Sequence, residues 1–106
     1  MPDKLCPDFP AREKKEDLAA LRATVDEIDE ALQQLFERRM AVVEEIAACK
    51  RAHGLSVFDE AREKEKLAAV GARAAAGLEP YDEAFFSQLM ELSRKRQDEL
   101  LEEKKK

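Results

Sequence analysis

The sequence contains no tryptophan, one histidine, two cysteines and only three glycines in 106 residues. It has no apolar run long enough to cross a bilayer, and its N-terminus lacks the apolar stretch of a secretory signal. Cys6 and Cys49 have no metal-ligand spacing and no partner motif, which argues against a zinc site or a disulfide framework. We therefore expect both to be free thiols in a reducing, cytoplasmic location.

Charge and helix-forming residues dominate the chain instead. Charged residues make up 41% and hydrophobic residues 44% of the sequence, which is rich in Ala, Leu, Glu, Lys and Arg. This composition favours one all-helical domain with a core of its own. The net charge of -5 argues against general nucleic-acid binding. An anionic ligand would have to be attracted by local geometry, because the overall field repels it.

The chain begins with a short arm. Residues 1–10 contain three prolines and predict a flexible segment, which leaves residues 11–106 for the helical domain. No Pro or Gly occurs from about Ala11 to His53, so this stretch predicts one long helix. Gly54 follows as a C-terminal stop, and His53 fits a helix-end cap better than a catalyst.

Two shorter helices are predicted after this stop. Asp59 is suited to cap the second helix, which is expected to run to about Ala76 and to end at Gly77. Gly71 is expected to be a weak point within it. Pro80 suits the first turn of a third helix, whose end is basic at residues 104–106.

The first helix carries an apolar stripe with alternating steps of three and four residues, as in a coiled coil. Its positions are Leu18, Leu21, Val25, Ile28, Leu32, Leu35, Val42, Ile46 and Cys49. At ~1.5 Å per residue the helix would be about 60 Å long, more than two shorter helices can cover. The stripe therefore predicts a partner, most simply a second copy of the chain. Periodicity alone is equally compatible with a plain coiled-coil dimer or a helical adaptor.

Three cations lie along this helix. Arg39 and Lys50 continue the apolar stripe, where a charge is costly unless an anion meets it. They are about three turns apart, so both side chains can reach one small ligand. Arg22 would lie ~25 Å from Arg39 along the helix. Two antiparallel copies that cross near Gln33 or Gln34 would bring it to the partner's site.

Polar residues on the other helices also recur at helical spacings of three or four residues. They are Asp59, Arg62 and Glu63 on the second helix, and Ser93 and Gln97 on the third. Taken singly, such side chains belong on a solvated surface. Only their combination with the cations of the first helix suggests a site.

The combined pattern resembles that of the all-helical, type II chorismate mutases. The match runs through Leu21-Arg22, Ile28-Asp29, Leu32, Leu35, Arg39, Lys50, Asp59-x-x-Arg62-Glu63 and Ser93-x-x-x-Gln97. It covers the chain after the arm and needs a small length change only around residues 77–80. The ten-residue interval from Asp29 and the phase of the stripe select Arg39 over Arg38.

The resemblance implies an intertwined, antiparallel homodimer of three-helix chains. It also implies an isomerase of the shikimate pathway, in aromatic amino acid biosynthesis, that acts on the small molecule chorismate. The product, prephenate, would form by a unimolecular Claisen rearrangement that needs no metal or cofactor. The enzyme would hold the enolpyruvyl arm folded over the ring and stabilise charge on the breaking ether oxygen. Neither a nucleic acid nor a membrane is expected as a partner.

By position in that pattern, Arg39 with Ser93 would bind one substrate carboxylate, and Arg22 of the partner chain would bind the other. Lys50 and Gln97 would donate hydrogen bonds to the ether oxygen. A neutral amide at Gln97 donates at any ordinary pH, which predicts a flat pH–rate profile near neutrality.

The remaining roles concern the ring of the substrate. Glu63 and the backbone near Asp59 would bind the ring hydroxyl, while Arg62 would add positive potential and orient its neighbours. Ile46 and Met90 are candidates for the apolar wall, and either could be an ordinary core residue.

Two other functions are open on the sequence. An isochorismate pyruvate lyase has the same fold and a similar cationic site, although the pair Asp59 and Glu63 and the hydroxyl of Ser93 look more like the mutase. A non-catalytic helical dimer, as a scaffold or a metabolite sensor, is the other. The positions of Arg39 and Lys50 on the stripe argue against a scaffold.

Overall fold

The computed structural model describes residues 17–105, which form three α-helices and contain no strand. They are α1 (Leu18–Ala52), α2 (Glu60–Arg73) and α3 (Glu79–Lys105). The predicted all-α class, with one long and two shorter helices, is confirmed. Within the described range, no helix is both long and apolar enough to span a membrane. The predicted arm, Cys6 and the expected helix start at Ala11 lie outside the described residues.

The chain divides within α1 into two compact units, Met1–Arg38 and Arg39–Lys106. In the first unit, α1 begins after Asp17, whose Oδ1 accepts a hydrogen bond from the backbone N–H of Ala20 at 3.2 Å. The apolar stripe of this unit is exposed in the single chain, at Leu18, Val25 and Leu32 among others. No residue of α1 before Arg39 is buried, so the described part of this unit, residues 17–38, has no core of its own.

The second unit contains the core. Its α2 packs against α3, and its buried apolar residues come from all three helices: Val43, Ala47, Val70 and Met90. In this half of α1 the buried positions are Val43 and Ala47, whereas the stripe positions Val42 and Ile46 are 54% and 41% exposed in the single chain. Steps of three and four residues fit two neighbouring helix faces equally well, and only tertiary packing selects between them.

The end of α1 is closed by a Schellman motif around Gly54, whose φ of 67° is a left-handed conformation that favours glycine. The N–H of Leu55 donates to the carbonyl of Lys50 at 2.8 Å, and the N–H of Gly54 donates to that of Arg51 at 3.2 Å. The predicted stop at Gly54 is confirmed. Its consequence is that the backbone of Lys50 is fixed by the turn that follows it.

The start of α2 agrees with the prediction from the sequence, whereas its end does not. Asp59 is the N-cap, and its Oδ1 accepts from the N–H of Arg62 at 3.0 Å. The helix ends at Arg73, however, before the predicted Ala76, because Ala74 takes an extended conformation with ψ of 146°. A run of alanines gives no local signal for that end.

The connection to α3 turns at Gly77, which has a φ of 83°. Pro80 lies in the first turn of α3, as predicted. Gly71, expected to be a weak point, lies within α2, and a Cβ there would meet Oε2 at the end of the Glu83 side chain at 2.5 Å.

Candidate functional site

A cavity of about 540 Å³ opens in the second unit, a size typical of small-molecule sites. Residues of all three helices and of the α1–α2 connection line it: Arg39, Val42, Val43, Ile46, Lys50, Val57, Asp59, Arg62, Glu63, Lys66, Met90, Ser93, Arg94 and Gln97. Nine of the ten residues predicted for the site are among them. The tenth, Arg22, lies on α1 in the first unit, where its side chain is exposed.

Arg39 is held in the wall of the cavity by a neutral partner. Its Nη1 donates a hydrogen bond to Oγ of Ser93, which itself donates to the carbonyl of Leu89 at 2.8 Å. Desolvation by burial lowers the pKa of Arg39 from its usual value, although a guanidinium remains charged at any physiological pH. No carboxylate of residues 17–105 pairs with it. Its charge is therefore available to an anionic ligand.

Lys50 is fixed at both its backbone and its side chain. Its Nζ donates to the carbonyl of Val57 at 2.6 Å, across the α1–α2 connection. An ammonium group has three donor hydrogens, so two remain for a ligand. The side chain is half-buried and lines the cavity.

Ser93 and Gln97 are buried, with 7% and 5% of their surface exposed, although each alone would have been assigned to the surface. Oε1 of Gln97 has no hydrogen-bond partner among the described residues. An unsatisfied buried polar atom costs roughly 1–3 kcal/mol. A half-turn of the amide exchanges its oxygen and nitrogen, so Gln97 can offer either an acceptor or a donor to a bound molecule.

The acidic residues of the cavity both have protein partners. The carboxylate of Asp59 accepts the capping hydrogen bond at the start of α2. That of Glu63 accepts two hydrogen bonds from Nη1 of Arg94, at 2.5 Å and 2.6 Å. Arg62 is exposed and pairs with Glu65 at 3.4 Å, so its ion pair is weak.

Two cations of the cavity were missed by the sequence reasoning. Lys66 follows Glu63 by three residues and Arg94 precedes Gln97 by three, so helical spacing could have placed both on the site face. The pKa of Lys66 is lowered by burial first and then by the charges of Arg62, Arg73 and Arg39. With these two residues the wall carries five cationic and two acidic side chains. Such a cavity favours a small ligand with more than one negative charge.

Cys49 and His53 lie at the end of α1, and neither lines the cavity. Cys49 is an exposed free thiol, as predicted. Nδ1 of His53 lies 2.9 Å from the carbonyl of Cys49, a contact expected of a helix-end cap. Among residues 17–105, no three His, Cys, Asp or Glu side chains are grouped so that they could share a metal ion.

The fold and the cavity together define a class, that of all-helical proteins with a cavity lined by more cationic than acidic side chains. The family model for type II chorismate mutases matches residues 21–98 of the chain. That span contains every residue of the predicted site, and the chain belongs to this family. The resemblance stated from the sequence is thereby confirmed. No solved structure gives a significant match to the chain.

Proposed function

We propose that this protein is a chorismate mutase that converts chorismate to prephenate by a Claisen rearrangement. The observation that carries the proposal is the convergence of Arg39, Lys50 and Gln97 on one cavity, where none of the three has a carboxylate partner within residues 17–105. Chorismate is a dianion with an ether oxygen that gains negative charge as its bond to the ring breaks. The reaction needs donors at fixed positions, with no nucleophile and no proton transfer.

Arg39 is assigned to one carboxylate of the substrate. A guanidinium can donate two parallel hydrogen bonds to a carboxylate, and Ser93 holds that of Arg39 in place through Nη1. Burial already disfavours the uncompensated cation, so an incoming carboxylate restores the interaction that desolvation removed.

Lys50 and Gln97 are assigned to the ether oxygen. Lys50 has donors beyond the one that Val57 uses. The buried amide of Gln97 can turn its Nε2 donor to the ligand, because Oε1 has no hydrogen-bond partner among the described residues that holds it in place. Donors fixed before the reaction stabilise developing charge without reorganisation at the moment of bond breaking. Both residues therefore act more strongly on the transition state than on the bound substrate.

Glu63 is assigned to the ring hydroxyl, together with the backbone near Asp59, whose carboxylate already caps α2. Arg62 supplies positive potential at the same wall. Ile46 and Met90 give the ring an apolar surface, and Met90 is at the same time a buried member of the core.

The second carboxylate is assigned to Arg22 of a partner chain in an antiparallel homodimer. The support is the exposed apolar stripe of the first unit, which includes Val25, Ile28 and Leu32. A second copy would cover this stripe and add the cation that a dianionic substrate needs.

The test is chorismate consumption by the purified protein without added metal or cofactor, with the product identified. Prephenate formation supports the proposal, whereas pyruvate release from isochorismate identifies the lyase instead. Arg39→Ala should reduce kcat/KM by roughly a thousandfold, the loss expected for a charged donor at the reacting dianion, while the fold survives or becomes more stable. Arg38→Ala is the matched control, since Arg38 is exposed and does not line the cavity.

A further inference from the structure

Arg94 lies in the wall of the cavity, and nothing in the sequence pattern assigns it a role. We propose that Arg94 is a positioning residue for Glu63, holding its carboxylate where it accepts a hydrogen bond from the ring hydroxyl of the substrate. Arg94 thereby contributes to selection of hydroxylated over hydroxyl-free substrates. The inference rests on the proposed function and adds a specificity determinant to it.

The geometry of the pair favours orientation of the carboxylate. Nη1 of Arg94 lies 2.5 Å and 2.6 Å from the two carboxylate oxygens of Glu63 and so anchors both oxygens at one point. The side chains are 30% and 21% exposed, and this is the least exposed ion pair among residues 17–105. Solvent screens such a pair less than it screens a surface pair.

Arg94 is itself held from a second side. Its guanidinium lies over the ring of Phe58, with 5.2 Å from Cζ to the ring centroid, a distance at which a cation and an aromatic face attract. Phe58 belongs to the α1–α2 connection and immediately precedes the cap residue Asp59. Arg94 on α3 therefore contacts both Phe58 in the α1–α2 connection and Glu63 on α2. The position of the Glu63 carboxylate depends on all three segments.

The charges of the cavity give the pair a second consequence. Arg39, Lys50 and Lys66 line the same space without a carboxylate partner in the described range. A mobile Glu63 could pair with one of these cations and turn away from the ring hydroxyl of the substrate. With Arg94 as its fixed partner, Glu63 keeps its carboxylate at the position of that hydroxyl.

The pairing does not exhaust the acceptor capacity of Glu63. An ionised carboxylate has about four lone-pair sites, and the contact with Arg94 uses one on each oxygen. A substrate hydroxyl can donate to a remaining site. Arg94 would therefore stay in place during binding and act through Glu63 alone.

The experiment compares two substrates across a set of variants. The substrates are chorismate and the analogue in which hydrogen replaces the ring hydroxyl and both carboxylates and the enolpyruvyl ether are kept. The variants are Arg94→Met, Arg94→Lys, Glu63→Gln, and the double variant of Arg94→Met with Glu63→Gln. Arg96→Met is the matched control, because Arg96 on the same helix pairs with Glu44 of α1 at 3.0 Å but does not line the cavity.

Arg94→Met should lower kcat/KM for chorismate by about tenfold, the usual effect of losing a charged hydrogen bond, and by less than about twofold for the analogue. The double variant should be no slower than Glu63→Gln, because the two residues act as one unit. Arg94→Lys should recover part of the loss, and Arg96→Met should leave the ratio between the substrates unchanged.

Equal losses for both substrates in a folded Arg94→Met protein would overturn the inference while leaving the proposed function intact. So would additive losses in the double variant. If Arg94→Met fails to fold, Arg94→Lys takes its place in the comparison of kcat/KM for chorismate with kcat/KM for the analogue. A larger loss for chorismate supports the inference, and equal losses overturn it. A wild-type protein that converts neither substrate rejects the proposed function, and this inference with it.

Discussion

Nη1 of Arg39 on α1 donates a hydrogen bond to Oγ of Ser93 on α3, and the same hydroxyl donates to the carbonyl of Leu89. The guanidinium is thus fixed by a neutral hydroxyl, which orients the cation without cancelling its charge. A carboxylate in place of Ser93 would hold Arg39 equally well, but it would also neutralise the charge of the guanidinium. The proposed binding site for an anion depends on this difference.

Ser93→Ala should therefore weaken the site more than it weakens the fold. Arg39 loses its acceptor and its fixed orientation, and we expect KM for chorismate to rise by about tenfold, as for one lost charged hydrogen bond. Stability should change little, since Ala is favoured within a helix. Steady-state kinetics and thermal unfolding measure the two effects. Ser87→Ala, an exposed serine of the same helix, is the control, and an unchanged KM in Ser93→Ala would contradict the role.

Gln97 should give a rate that is independent of pH near neutrality, because an amide donates without titrating. Gln97→Glu should make activity depend on acid, since a carboxyl group donates to the ether oxygen only when protonated. We expect kcat/KM of this variant to fall steadily from pH 5 to pH 8 while the wild type stays level. A steep loss between pH 6 and 8 in the wild type would remove Gln97 from its role.

Lys66 should destabilise the folded chain at neutral pH. Burial and the charges of Arg62, Arg73 and Arg39 lower its pKa below the usual 10.5. Between the pKa of the folded state and that of the unfolded state, the unfolded state therefore binds more protons. The penalty is present in full below this alkaline window and is lost as pH rises through it.

Lys66→Met should accordingly raise Tm at pH 7 and remove the alkaline gain in stability. It should also raise KM, because a cation leaves the wall. Lys64→Met is the comparison, since Lys64 on the same helix is exposed and pairs with Glu60 at 3.2 Å. Thermal unfolding across pH 7 to 10 measures the effect. A Tm of Lys66→Met that falls at pH 7 would refute this reading of the charge.

Gly54 and Gly77 offer a matched pair for the link between fold and site. Both have a positive φ, and neither has an atom within 4 Å of an added Cβ. Alanine at either position should cost about 1 kcal/mol of stability through the left-handed conformation. Only Gly54→Ala should also lower kcat/KM, because its turn fixes the backbone of Lys50. Equal kcat/KM in the two variants would show that the turn at Gly54 does not contribute to catalysis through Lys50.

The shared site of the proposed homodimer can be tested by mixing two inactive variants. In a heterodimer of Arg22→Ala and Arg39→Ala chains, one site keeps both arginines and the other has neither. After random exchange, half the dimers are heterodimers, so activity should recover to about one quarter of wild type. Activity that stays at the sum of the separate variants would place Arg22 outside the site.

Local signals in the sequence predicted the parts of the fold that short-range chemistry decides. The cap at Asp59, the stop at Gly54 and the position of Pro80 each follow from what one side chain does to its own backbone. The end of α2 at Arg73 has no such signal. Ala74 to Ala76 would continue a helix by propensity, and only the packing of α2 on α3 decides otherwise.

The sequence predicted nine of the cavity residues but not Arg94 and Lys66, which helical spacing placed on the site face without marking them as unusual. Arg39 stood out because a cation on an apolar stripe is anomalous, whereas Arg94 and Lys66 looked like ordinary charges on a polar helix face. Their role as cavity residues depends on where α2 and α3 meet. The choice of Val43 over Val42 as a core residue has the same cause, since a side chain's neighbours on another helix are not encoded by its own periodicity.

The two attachments of Lys50, from its carbonyl to Leu55 and from its Nζ to Val57, constrain how this chain can be lengthened. An inserted or deleted residue between Lys50 and Val57 would break one of these contacts and move a cation of the cavity. The α2–α3 connection bears no cavity residue. A tag, a linker or a grafted loop therefore belongs at residues 75–78, and the α1–α2 connection should keep its length in any redesign.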